Sequence, residues 1–240
     1  MFVPLRYAKS RIRQFTALLA LTLSSLMSLP SLAQDGPPQE VFPPDASSGP
    51  VVVVISGQTG TPNYRKFARA VAGLGYYTVL IDGKDILTRA QDGAQNLRTV
   101  VARAQAAQKG SPDKVMVIGF SQGGGGVLAH AVAMPDLMKA AVVYYPATSW
   151  SRNIAGLVGR VQIPILVLAA ERDTYSNCCL VASMREMESA AKARQLPLEL
   201  VVYPNADHGF NLDGQSYRGD DTADAWRRTV GMLTRYHPVK

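Results

Sequence analysis

The sequence predicts an α/β fold on a mostly parallel sheet, and three observations predict it. Composition is that of an ordinary globular domain, 47% hydrophobic and 18% charged over 240 residues. From Val51 onward, short runs rich in Val, Ile and Leu recur without strict polar alternation, the mark of strands buried on both faces. Between them lie stretches with apolar residues at helical spacing. Strands alternating with helices make a parallel sheet covered on both sides.

The chain opens differently. Arg6, Lys9, Arg11 and Arg13 precede an uncharged apolar stretch from Phe15 to Leu29. Ser31-Leu32-Ala33 then supplies small residues where a signal peptidase needs them. Residues 1–33 read as a secretory signal peptide, since the apolar run is shorter than the ~18–20 residues a membrane span requires. The mature chain is therefore expected in the periplasm or outside the cell, with no stable membrane insertion. Removing the leader's four cations lowers the formal net charge from +7 to +3. No cluster of Lys and Arg interleaved with aromatics appears, so nucleic acid is not an expected partner.

Residues 34–49 hold Pro37, Pro38, Pro43, Pro44 and Gly49, the composition of a linker rather than a core element. The folded domain is expected over 50–240. Val51 to Ile55 is the first strand. Pro62 to Leu74 reads as a helix with Tyr64, Phe67, Val71 and Leu74 on its apolar side, ended by Gly75. Tyr77 to Ile81 is a strand and Thr88 to Gln108 an Ala-rich helix. Lys114 to Phe120 is a strand, Ser121 to Ala133 a helix stopped near Pro135, and Ala140 to Tyr145 a strand. A looser stretch with Trp150 and a short helix follows. Ile165 to Ala170 is a strand, Cys178 to Gln195 a helix, Leu198 to Tyr203 a strand, and Asp221 to Tyr236 the last helix.

Ligands of such sheets bind at the carboxyl ends of the strands. One such end carries Gly119-Phe120-Ser121-Gln122-Gly123. G-x-S-x-G at a strand-to-helix turn is a nucleophile elbow, tight enough to strain the Ser backbone and lift its hydroxyl above the sheet. The helix after it begins with four glycines, Gly123 to Gly126, each costing roughly 1 kcal/mol against Ala. Close approach of that helix to the sheet and its neighbours accounts for them. No Lys-Ser or Lys-Thr follows, which excludes a phosphate loop.

A serine nucleophile needs a base, and the base an orienting carboxylate. Of the three histidines, His130 lies within a helix and is expected packed or at the surface, and His237, near the C-terminus, is expected solvated. His208 follows a strand at its carboxyl end, the correct edge for a base. Asp173 follows the preceding strand and is the expected acid; Glu171 is too close to the strand and available to Arg172, and Asp207 adjoins His208. The order Ser121, Asp173, His208 is that of this sheet type. Oxyanion donors are expected from the backbone of Gln122 and of Gln58, with Gly57 beside it. The adjacent Cys178 and Cys179 are expected as two packed thiols at a helix start, since a bridge between neighbours closes a strained ring that helical geometry does not favour. No further ligands lie near them in sequence, so no metal site is expected.

With G-F-S-Q-G-G at 119–124, L-A-A-E-R-D at 168–173 and V-V-Y-P-N-A-D-H-G-F at 201–210, the chain resembles the dienelactone hydrolase family of α/β-hydrolases over about 50–240. The resemblance implies a compact hydrolase of esters or lactones that needs neither metal nor organic cofactor. Ser121 stands where the namesake enzymes carry Cys, and Tyr175-Ser176-Asn177 where the family often has aromatic-Thr-Pro. The serine favours ordinary carboxylic esters over lactones. The 50–60 stretch and the Gly run also resemble exported polyester hydrolases, whose cleft is more exposed. Tyr144, Tyr145 and Trp150 are candidates to line such a cleft. The expected function is an exported serine hydrolase of small-molecule esters working through an acyl-enzyme. The rivals are a polyester depolymerase and a catalytically silent binding protein on the same fold.

Overall fold

The computed structural model describes residues 1–2 and 36–239, so the basic region, apolar run and cleavage site of the expected leader lie outside the described residues. Among the described residues, seven strands form one sheet in the order β1-β3-β2-β4-β5-β6-β7, and six α-helices connect or flank them. The strands are β1 Glu40–Phe42, β2 Val51–Ile55, β3 Tyr77–Ile81, β4 Val115–Phe120, β5 Met138–Tyr144, β6 Ile165–Ala170 and β7 Leu198–Tyr203. The helices are α1 Arg65–Gly73, α2 Gly93–Gln105, α3 Gln122–Ala129, α4 Ile154–Val158, α5 Val181–Ala193 and α6 Gly219–Tyr236. Every pairing is parallel except that of β1 with β3.

The continuous apolar runs have a direct cause. Along β2, Val51, Val53 and Ile55 face α2 to α5, with Leu97, Val100, Val127, Leu157 and Met187 in the same core. Val52 and Val54 face the opposite layer, with Ala68 and Val71 of α1 and Ala225 and Leu233 of α6. Both faces of the strand are dry, so alternation with polar residues would leave unpaired groups in one core or the other. Because α1 and α6 share one face and α2 to α5 the other, the carboxyl edge of the sheet stays uncovered for loops.

The Pro-rich segment differs from the linker expected there. Glu40–Phe42 pairs antiparallel with β3 as an edge strand, and Arg65 grips Glu40 in a bidentate contact at 2.6 and 3.0 Å. Proline excludes the centre of a sheet but not its edge. Helix starts also move. The helix expected from Thr88 begins at Gly93, because the Asp92 side chain accepts from the Gln95 N–H at 3.0 Å and sets the start. The helix expected from Pro62 opens as a 3-10 turn over Thr61–Tyr64, and Leu74 at its far end is exposed rather than on the apolar side.

His237 is a correction: it is fully buried, not solvated. Its Nε2–H donates to Val51 O at 2.9 Å, and its ring stacks on Tyr76 with centroids 5.9 Å apart. The imidazole thus pins the end of α6 to the start of β2. Burial first, then Lys139, hold its pKa down at about 4, while the Val51 bond and Asp113 oppose the shift. Among the described residues no helix is long and apolar enough to cross a membrane.

Candidate active site

Five loops at the carboxyl edge, after β2, β4, β5, β6 and β7, meet at one cavity of about 290 Å³ whose lining includes Gln58, Ser121, Tyr145, Tyr175 and His208. Ser121 sits at the turn from β4 into α3 with φ 48° and ψ −113°, a conformation that L residues rarely adopt. Backbone bonds hold it there. Its N–H donates to Tyr144 O at 3.0 Å, and its carbonyl accepts from Gly125 at 2.9 Å and Ala147 at 2.8 Å.

The glycines of the turn have specific neighbours. A Cβ on Gly119 would stand 2.7 Å from Gly123 O, and one on Gly123 would stand 2.4 Å from Ser56 O and 2.5 Å from Ile55 O. These neighbours are backbone and cannot swing aside. Gly124 abuts Pro146, Gly125 abuts Ala147 O, and Gly126 abuts the Ile86 side chain, each at 3.0 Å or less from a Cβ placed there. The helix is glycine-rich because both the sheet and the 146–150 loop press on it.

The expected acid and base meet. Asp173 is buried, and its Oδ2 accepts from Nδ1–H of His208 at 2.7 Å. Its Oδ1 accepts from the Tyr175 N–H at 3.1 Å, so one carboxylate both orients the ring and holds the loop after β6. The neighbouring acids are engaged elsewhere. Glu171 pairs with Arg185 rather than Arg172, and that guanidinium lowers its pKa. Arg172 reaches Asn205 at 2.8 Å, and Asp207 Oδ1 accepts from the His208 backbone N–H at 2.7 Å. His130 stands half-buried at the far end of α3.

Of the expected oxyanion donors, Gln122 is the first residue of α3, where helix geometry leaves an N–H without an intrahelical acceptor. Its side chain is tethered to Leu87 O at 2.9 Å. Gln58 lines the cavity, and a Cβ on Gly57 would lie 3.2 Å from the Ser121 Cβ. Ser56 fixes this loop. Its Oγ donates to Gly57 O and accepts from the Gly83 N–H, both at 3.1 Å, and its carbonyl accepts from the Gly123 N–H at 3.1 Å.

Of the residues expected to line the cleft, Tyr145 does so, with its hydroxyl donating to Asn211 Oδ1 at 2.6 Å. Burial pushes its phenol well above the ordinary tyrosine range. Trp150 does not line this cavity. Its Nε1–H donates to Ala147 O at 2.8 Å and it lies against Gly125. Tyr144 is core, bonded to Thr229 at 2.7 Å.

Sequence reading missed Tyr64 and Tyr175. Tyr64 looked like one apolar helix position among several, yet it lines the cavity, and its hydroxyl lies 2.4 Å from a Cβ placed on Gly57. Burial raises its pKa, which keeps the phenol protonated. Tyr175 stacks on His208 with centroids 4.5 Å apart and planes 11° from parallel. Its position two residues after the acid was the available signal.

The dienelactone hydrolase family model matches residues 40–237. The chain belongs to the dienelactone hydrolase family. A Salmonella typhi protein provisionally named carboxymethylenebutenolidase is 28% identical over 241 residues, covering 89% of this chain and 87% of that one. A provisionally named dienelactone hydrolase from Klebsiella pneumoniae has a similar structure, with TM-score 0.71 and 23% identity, covering 83% of this chain and 93% of that one. Thermogutta terrifontis esterase 2, phosphonylated by sarin, gives TM-score 0.65 at 19% identity, covering 84% and 90% respectively. The structural likenesses show an α/β-hydrolase fold, and the family is one of hydrolases.

The expected pair of packed thiols is the remaining correction. Cys178 and Cys179 are joined in a disulfide. Ser176 and Asn177, both at positive φ of 47° and 49°, turn the chain just before them, and α5 starts only at Val181. The bridge sits in this non-helical turn, so the argument from helix geometry does not apply to it.

Proposed function

We propose that this protein is an exported serine hydrolase that cleaves carboxylic esters of small molecules through an acyl-enzyme. The observation that carries the proposal is one juxtaposition. A serine in a strained strand-to-helix turn shares its cavity with an imidazole whose far nitrogen is bonded to a buried carboxylate.

In this reading the substrate's acyl carbonyl lies against Ser121. His208 Nε2 accepts the Ser121 hydroxyl proton as Oγ bonds to the carbonyl carbon. Asp173 keeps the imidazole in the tautomer that leaves Nε2 free, and stabilises the cation that forms. The carbonyl oxygen becomes an oxyanion facing the Gln122 and Gln58 N–H groups. Removing one such donor typically costs about 3 kcal/mol of transition-state stabilisation. The protonated His208 then gives its proton to the departing alcohol. Water attacks the acyl-enzyme with His208 again as base, and the acid leaves. Gly57, Tyr145 and Tyr64 shape the wall beside the reacting carbon.

The cavity of about 290 Å³ lies at the small end of the usual range for small-molecule sites, roughly 300–1,000 Å³, which favours short esters. No metal or organic cofactor enters this chemistry, in keeping with the family. Export rests on the leader's sequence pattern. A panel of nitrophenyl esters of graded acyl length tests the proposal. Turnover that falls with acyl length and vanishes in Ser121→Ala supports it, and full turnover in that variant ends it.

A further inference from the structure

The sulfur atoms of Cys178 and Cys179 and a ring nitrogen of His208 all lie within 4.8 Å of one another. The mechanism above uses only the imidazole. We propose that reduction of the Cys178–Cys179 bridge creates a site for a thiophilic divalent cation, made of two thiolates and the His208 imidazole, and that filling this site switches hydrolysis off. The loss of turnover rests on His208 being the base; the site itself does not.

The ligand set suits a zinc-like ion. A tetrahedral ion with bonds of about 2.3 Å to sulfur and about 2.0 Å to nitrogen holds its ligands roughly 3.5–3.8 Å apart. The ring nitrogen lies within 4.8 Å of both sulfurs; the sulfurs, bonded to each other in the oxidised chain, must part to that spacing by rotamer changes once reduced. The backbone under them is fixed independently of the bridge. The Cys178 carbonyl accepts from the N–H groups of Thr148 at 2.7 Å and Ser149 at 3.2 Å. Tyr175 stacks on His208 and Asp173 anchors the Tyr175 N–H, which ties the cysteine loop to the ring. Cys178 is half-buried rather than sealed, which gives a reductant an approach.

The chemistry balances. A dithiol reductant delivers two electrons and two protons; the Cys178–Cys179 bond breaks, two thiols form, and the reductant becomes its own disulfide. The cation then bonds to both sulfurs and to the imidazole, and two thiol protons pass to solvent. If the ion takes Nε2, nothing is left to accept the serine proton. If it takes Nδ1, Asp173 loses the ring. Either way the base is gone.

Cadmium serves as the probe, with a phosphine as reductant in place of the dithiol. The phosphine supplies the same two electrons and becomes the phosphine oxide, while water supplies the oxide oxygen and the two thiol protons. Equilibrium dialysis of the reduced full chain is expected to show one cadmium per chain and a thiolate-to-cadmium ultraviolet band, and the oxidised chain neither. Reduction without metal leaves ester turnover within about threefold, while one equivalent of cadmium lowers it more than about tenfold, reversibly with a chelator. The Cys178→Ser/Cys179→Ser variant keeps turnover and does not respond. His208→Ala is expected to weaken cadmium binding at least about tenfold. Dialysis on Ser121→Ala reads the site with no turnover, so failure of the hydrolase reading is distinguishable from failure of this one. Absence of cadmium binding after reduction, equal binding in His208→Ala, or loss of turnover on reduction alone overturns the proposal.

Discussion

Replacing Ser121 by Gly is expected to make the protein more stable while removing its activity. At φ 48° and ψ −113° a residue with a Cβ carries about 1–3 kcal/mol of backbone strain. The mirror image of that conformation lies in the ordinary extended region, which glycine reaches from either side without penalty. Gly returns about 0.5–1 kcal/mol through the greater freedom of the unfolded chain, so the net gain is up to about 2.5 kcal/mol. Ser121→Ala is the control, because it deletes the hydroxyl and keeps the strain. For a domain of this size 1 kcal/mol moves the melting temperature by about 2–4 °C. Ser121→Gly is therefore expected to melt above Ser121→Ala, by up to about 10 °C, when followed by circular dichroism, with guanidinium midpoints shifting in the same sense. If the Gly variant melts at or below the Ala variant, the strain at the elbow is absent and the argument for a backbone held taut for function fails.

Asp173→Asn is expected to keep the fold and lower kcat by about 10³–10⁴-fold, because the amide favours the wrong imidazole tautomer; a loss under tenfold in steady-state ester kinetics contradicts the assigned role. Gly123→Ala meets two backbone oxygens at 2.4 and 2.5 Å and should destabilise by about 3 kcal/mol or more, whereas Gly231→Ala, with nothing within 4 Å of the new Cβ, should gain about 0.5–1 kcal/mol by helix propensity. Chemical denaturation of the pair checks both signs. His237 has a folded pKa of about 4 against an unfolded value near 6.5. The unfolded chain therefore binds the extra proton between those values, and stability falls as pH drops through that window, by on the order of 3 kcal/mol in all. His237→Gln, neutral throughout, should flatten that part of the stability-versus-pH curve; an unchanged slope contradicts the burial argument.

Much of this was legible because the signals were local or set by the sheet. Val51–Ile55 and Ile165–Ala170 read as doubly buried strands from their own residues. Once parallel topology followed from the alternation, positions 57–58, 121, 173 and 208 had to share one edge. What stayed hidden depended on partners distant in sequence. Three residues between prolines become an edge strand only because β3 offers a free edge. His237 is buried because Val51 and Tyr76 meet it across the fold, and no composition rule for a chain end contains that. Trp150 stays exposed and bonds Ala147 O through its indole N–H instead of lining the cleft, a contact its sequence position does not announce. Tyr64 was masked by its place in an apolar helical pattern, since periodicity reports which side faces inward and not what the hydroxyl reaches. The disulfide was discounted on a helical assumption that the left-handed Ser176 and Asn177 remove.

A fluorophosphonate probe with peptide mass mapping tests the central claim most directly. One phosphonyl group per chain is expected, on the Ser121 oxygen, with labelling slowed by orders of magnitude in His208→Ala. A chain that stays unlabelled, or one labelled as fast when His208 is gone, would mean that the hydroxyl at the elbow is not activated by that imidazole.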